Sequence, residues 1–105
     1  EAAKRFAYTG ELWTPEVALE NRLVSNVSPR AQLLDDTLAF AQQLAAGPTV
    51  AIGLAKKLMN ESFGRSLIEQ QLEEVVAGRI CAGTKDHAEG LAAANERRAP
   101  NFTGA

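Results

Sequence analysis

One cysteine, one histidine, one methionine, one tryptophan and one tyrosine are all that these 105 residues hold of those types. A lone thiol, Cys81, cannot build an intramolecular disulfide framework and fits a reducing, cytoplasmic setting. One histidine and one cysteine give no recognisable zinc ligand set, and the adjacent Asp35 and Asp36 diverge on a helix. A calcium loop needs acidic side chains on a glycine-containing loop, which is not found, so no metal site is expected. No apolar run approaches the roughly 20 residues that cross a bilayer, so no membrane partner is expected. The opening stretch EAAKRFAYTG has no long apolar segment behind its charges and does not read as a secretory signal. Strong charge is missing too: 11 basic against 13 acidic residues leave a net charge of −2, which argues against a nucleic-acid partner. The stretch GPTVAIGLAKK has two glycines and the pair Lys56–Lys57, but it matches neither the Walker pattern nor the dinucleotide-binding one.

What is present is an ordinary globular balance, 46% apolar and 23% charged, with helix signals separated by clear punctuation. Residues 1 to 8 read as the end of a helix stopped by Gly10, with no initiator methionine and no cap before it, as in a piece of a longer chain. Thr14, Pro15 and Glu16 then form an N-cap, a first-turn proline and a first-turn acid for a short helix ending near Asn21–Arg22. Leu23 to Val27 is the one stretch that reads as extended. Ser28 and Pro29 are expected to start a longer helix carrying Ala31, Leu34, Leu38, Ala41 and Ala45 on one face. Gly47–Pro48 ends it and opens another from about Thr49 to Ser62. Ser66 and Glu69 make a capping box ahead of Ile68, Leu72, Val75, Val76 and Ile80. Gly83 closes that helix, Thr84 caps the last, and Pro100 forbids its continuation. The expectation is an all-α fold of five or six helices with one short extended segment, residues 1–105 forming one domain or part of one.

Few residues read as chemical. Glu69 and Glu73 lie four apart on one helical face with Glu74 beside them, yet they stand opposite Leu72, Val75 and Val76, as a solvated face does. Cys81 and His87 could be folded together by the Gly83–Thr84 joint, but a nucleophilic pair also needs an orienting group and an oxyanion hole. Lys4, Arg5, Lys56, Lys57, Arg97 and Arg98 could line an anion site, while Arg97 and Arg98 also suit a helix C-terminus. First-turn Asp86 and Glu89 suit the N-terminus of the last helix, where His87 has a local or solvent-facing place.

The order of the motifs resembles the C-terminal part of the enoyl-CoA hydratase/isomerase (crotonase) family. The matching residues begin with Thr9–Gly10, Glu16, Ala18, Leu23–Val24 and Val27. They continue with Lys56 through Asn60 and with Ser66, Leu67 and Glu69. The final and most specific group is Asp86, His87, Glu89, Gly90, Ala93, Glu96, Arg98, Pro100, Phe102 and Gly104. The resemblance covers the chain nearly end to end.

It implies a C-terminal helical domain of the trimerisation type, which packs subunits into trimers or hexamers and completes the CoA site. The implied partners are the protein's own catalytic core, further copies of itself, and acyl-CoA as substrate, with no separate cofactor. The implied parent reaction is hydration of a 2-enoyl-CoA. In the family, the enolate-stabilising amides and the catalytic glutamates belong to the preceding core. No catalytic residue is therefore expected here, and these residues alone should be inactive. The residue after the motif glutamate is commonly a lysine that meets CoA phosphates; Arg97 stands there and keeps the charge, so the resemblance implies a phosphate contact for it.

Three positions depart from the pattern. Arg22 replaces a glycine suited to a left-handed helix end, Ala94 replaces a phenylalanine, and Gly78 stands where some hydratases reach a neighbouring subunit's CoA with an aromatic. A freestanding helical interaction module without catalysis is the alternative.

Overall fold

Helix ends carry four unsatisfied N–H or C=O groups each, and the places where this sequence supplies partners for them are where its helices begin and stop. The computed structural model, which describes all 105 residues, contains α1 (Ala2–Thr9), α2 (Pro15–Glu20), α3 (Leu33–Ala45), α4 (Thr49–Glu61), α5 (Leu67–Ala82) and α6 (Lys85–Glu96). A 3-10 turn, Ser62–Gly64, follows α4, and there is no strand. The chain divides into two units, Glu1–Ala39 and Phe40–Ala105, with the division inside α3.

In the first unit α1 stops at Gly10, whose φ of 63° lets its N–H turn back to the Phe6 carbonyl. Glu11 ties the following loop down. It accepts from the Arg5 guanidinium at 3.3 Å and the Trp13 indole N–H at 3.2 Å, while the Phe6 and Trp13 rings lie 5.0 Å apart. Thr14 caps α2 by accepting from the Val17 N–H, as expected. At the far end of α2, Leu23 N–H reaches the Ala18 carbonyl at 2.8 Å and Arg22 N–H reaches Leu19 at 3.0 Å. This pair of bonds is the Schellman closure, and it holds Arg22 at φ 59°. The arginine thus adopts the left-handed conformation that the expected glycine would have adopted without strain.

Two segments differ from the sequence expectation. Leu23 to Val27 forms no strand; it runs from the Schellman closure through a bend into irregular backbone, with no partner strand to pair with. The long helix begins at Leu33 rather than at Ser28–Pro29. Gln32 N–H instead closes a single turn on the Pro29 carbonyl at 2.8 Å, and Ser28 supplies no cap, so Ala31 falls outside the helix.

In the second unit α4 packs on α5 and α5 on α6. The capping box at the start of α5 is complete: Ser66 accepts from the Glu69 N–H, and the Glu69 carboxylate accepts from the Ser66 N–H and hydroxyl at 2.8 and 2.7 Å. Those bonds hold the Glu69 carboxyl below its usual range. Arg65 binds Glu61 at 2.5 Å and approaches Glu73 at 3.8 Å, and the Gln70 amide donates to the Leu58 carbonyl at 3.4 Å. Both members of the candidate carboxylate pair are thus engaged at the α4–α5 junction.

The buried apolar side chains are small: Ala18 in α2, Ala77 in α5 and Ala93 in α6. The expected inner face of α5, Ile68, Leu72, Val75, Val76 and Ile80, remains between 49% and 70% exposed.

Candidate functional site

The last helix and the tail behind it concentrate the unusual chemistry. Thr84 opens α6 by accepting from the His87 N–H at 3.0 Å. The helix closes with a second Schellman pair, Arg98 N–H to Ala93 at 3.0 Å and Arg97 N–H to Ala94 at 3.3 Å. Arg97 is therefore left-handed, at φ 55°, a conformation that costs a non-glycine residue about 1–2 kcal/mol. The reversal sends residues 98–105 back along the helix they have just left.

Two carboxylates of α6 catch this returning tail. Asp86 is almost fully buried. One of its oxygens accepts from the Thr103 N–H at 2.7 Å and the other from the Gly104 N–H at 2.9 Å. One turn further on, Glu89 takes Arg98 in a two-pronged pair at 2.5 and 3.0 Å and also accepts the Asn101 N–H at 2.7 Å. Arg98 completes its set on Glu96 at 2.6 Å. The Arg98 guanidinium, and after it the Asn101 amide, pull the Glu89 carboxyl down to about 2; the bonds to Glu89 and then to Glu96 raise the Arg98 guanidinium.

Between the two carboxylates the Phe102 ring lies over Gly90, 3.7 Å from where a β-carbon would stand. Gly104, at φ 74°, passes so near Thr49 that a β-carbon would come within 2.6 Å of its hydroxyl oxygen.

Only Asp86 stands in the first turn of α6, and Glu89 lies beyond it; each is a receptor for tail groups 9 to 18 residues away. The Asp-His-x-Glu-Gly stretch and the Arg-x-Pro-x-Phe-x-Gly stretch are two halves of one clasp. The sequence carries both halves but not their connection, because half of the donors are backbone amides that carry no residue signature.

Beside the clasp a cavity of about 250 Å³ is lined mainly by apolar groups, among them Pro48, Val50, Leu91 and Phe102, with Cys81 and His87 at its wall. The fold does bring that cysteine and histidine to one hollow. No hydrogen bond joins their side chains.

Of the six basic residues considered for an anion site, Arg5 is bound to Glu11 and Arg98 to Glu89 and Glu96. Arg97 is exposed and enters no ion pair. Its neighbour is saturated with carboxylate while its own guanidinium is free.

The fold defines an all-helical segment whose terminal helix is locked by its own tail and whose apolar faces are only partly covered. The chain belongs to the enoyl-CoA hydratase/isomerase family, whose sequence profile matches residues 1–105. A probable enoyl-CoA hydratase of Mycobacterium tuberculosis is 36% identical over 95 residues, covering 90% of this chain and 37% of that protein. The 2,3-dehydroadipyl-CoA hydratase of Escherichia coli is 29% identical, covering 97% of this chain and 40% of the enzyme. The crystal structure of an enoyl-CoA hydratase from Bacillus anthracis superimposes with a TM-score of 0.86 at 31% identity, over 98% of this chain and 40% of that one. The chain spans about two fifths of the length of these relatives.

Proposed function

We propose that residues 1–105 are the C-terminal helical domain of an acyl-CoA enzyme whose reaction is the hydration of a 2-enoyl-CoA. The domain assembles subunits into a trimer or hexamer, covers part of the CoA site, and contributes Arg97 to a CoA phosphate. The observation that carries this reading is the half-exposed apolar face of α5, from Ile68 to Ile80. Burying apolar surface is worth roughly 25 cal/mol per Å², so leaving five large aliphatic side chains partly open is costly unless another body covers them.

The remaining three fifths of each relative is of a size to supply that body, and the relatives are named as hydratases of CoA thioesters. Arg97 suits the phosphate role because its fork is free and planar, matching phosphate geometry two bonds at a time. The catalytic groups lie in the core that precedes the domain. Residues 1–105 are inactive by themselves, acyl-CoA is substrate rather than cofactor, and the assembled enzyme works in the cytoplasm.

The experiment is to express residues 1–105 alone and joined to the preceding coding sequence, then to assay hydration of a short 2-enoyl-CoA and measure mass by light scattering. The longer protein is expected to be an active oligomer and the shorter one inactive and self-associating. Turnover by the shorter chain, or a longer protein that is an inactive monomer, would overturn the assignment. A shorter chain that stays a monodisperse monomer at high concentration would count against the expected self-association of the uncovered faces.

A further inference from the structure

We infer that Glu89 is a positioning residue for Arg97: by clamping Arg98 and Asn101 onto α6, it fixes the left-handed turn that presents the free Arg97 guanidinium to a phosphate group. The inference rests on the reading of Arg97 as a CoA-phosphate contact and adds the device that makes the contact specific.

Three observations support it. First, Arg97 is one of two non-glycine residues with positive φ in the chain, and a left-handed arginine persists only where its surroundings over-determine it. Second, those surroundings are asymmetric. On the helix side stand backbone bonds alone: the Arg97 N–H is shared between the Ala93 and Ala94 carbonyls, the latter at 3.3 Å, and the Arg98 N–H reaches Ala93 at 3.0 Å. On the tail side Arg98 makes three charge-assisted bonds, to Glu89 at 2.5 and 3.0 Å and to Glu96 at 2.6 Å, and Asn101 is pinned to the same Glu89. The tail side is the stronger anchor, and Glu89 is common to both of its attachments.

Third, the clamp sorts two adjacent cations. Arg98 is neutralised by two acids, while Arg97 is left with its charge unpaired. An anion arriving at this helix end meets the negative pole of the helix dipole, so its attraction has to come from the side chain. Fixing the backbone from which that one side chain projects lowers the ordering cost of binding.

The test uses the full-length protein and two probes measured by calorimetry: coenzyme A, and pantetheine, which carries no phosphate. Arg97→Met is expected to weaken coenzyme A binding about tenfold and leave pantetheine unchanged. Glu89→Gln keeps an acceptor for Asn101 but loses the charge. It is expected to weaken coenzyme A about three- to fivefold, to leave pantetheine unchanged, and to have no further effect once Arg97→Met is present. If Arg97→Met matters and Glu89→Gln does not, the positioning role is wrong and the Arg97 reading survives. If Arg97→Met leaves coenzyme A binding intact, the Arg97 reading fails and the inference falls with it. If Glu89→Gln weakens both probes, or adds to Arg97→Met, its role is general scaffolding and the inference is overturned. Should Glu89→Gln not fold, Arg98→Gln breaks the same clamp from the tail side and is read by the same outcomes. Failure of both to fold also overturns the inference, since a device that only orients Arg97 is not needed for folding.

Discussion

Replacing Asp86 by asparagine changes one atom and removes half of the attachment at the end of the tail. Both carboxylate oxygens are used: one holds the Thr103 N–H at 2.7 Å, with the Thr103 hydroxyl at 3.4 Å, and the other holds the Gly104 N–H at 2.9 Å. Asparagine offers one oxygen and one NH2 group, so in either orientation a donor faces a donor. The loss is at least one hydrogen bond to a carboxylate, about 1.5–3 kcal/mol. Because Asp86 is almost fully buried, the stranded amide is poorly placed to recover that loss from water. Closing of the tail is therefore expected to weaken by about 2–3 kcal/mol, which is roughly 30- to 150-fold in the closing equilibrium.

Amide hydrogen exchange in the full-length protein reads this directly. The Thr103 and Gly104 amides should exchange faster by that factor in Asp86→Asn, while amides in the middle of α4 keep their rates. Unchanged exchange at Thr103 and Gly104 in a folded variant would refute the reasoning. The tail would then be held by Phe102 on Gly90 and by the Glu89 clamp, with Asp86 a bystander.

Other perturbations follow from the same geometry. Gly104→Ala combines a left-handed backbone with a β-carbon 2.6 Å from the Thr49 hydroxyl, and should destabilise by about 1–3 kcal/mol in urea unfolding; a neutral result would mean that the tail shifts freely away from Thr49. Arg22→Gly relieves a left-handed arginine that contacts no acid, and should stabilise by about 0.5–1 kcal/mol after the glycine's greater unfolded-state entropy is counted; a lower urea midpoint would contradict this. Glu89 has a carboxyl lowered from 4.5 to about 2. Its contribution to the clasp is thus complete above pH 4.5 and is lost as pH falls from there toward 2. The Asn101 amide proton resonance should titrate with its midpoint near the lower end of that window and stop doing so in Glu89→Gln.

The parts of this molecule that could be read from the sequence are those decided within four residues of chain. Thr14, Ser66 with Glu69, and Thr84 cap their helices as their spacing implies, because a cap joins a side chain to an amide two or three positions away. The left-handed state of Arg22 was legible as well, through the glycine expected in its place. That of Arg97 was not, since arginine carries no signature for it. The start of α3 is not legible, because Ser28–Pro29 has the composition of a helix start but closes only a single turn. The apolar stripe of α5 was visible as a pattern, whereas its exposure depends on what packs against it, and no pattern along a chain contains its partner.

The clasp is the plainest case. Asp86, Glu89, Arg98 and Phe102 were all singled out by the sequence, and their types and order mark the family. That Asp86 holds the amides of Thr103 and Gly104, 17 and 18 residues on, was settled only by the reversal at Arg97. A backbone N–H is the same at every position except proline, so which one a carboxylate meets is decided by the path of the chain through space.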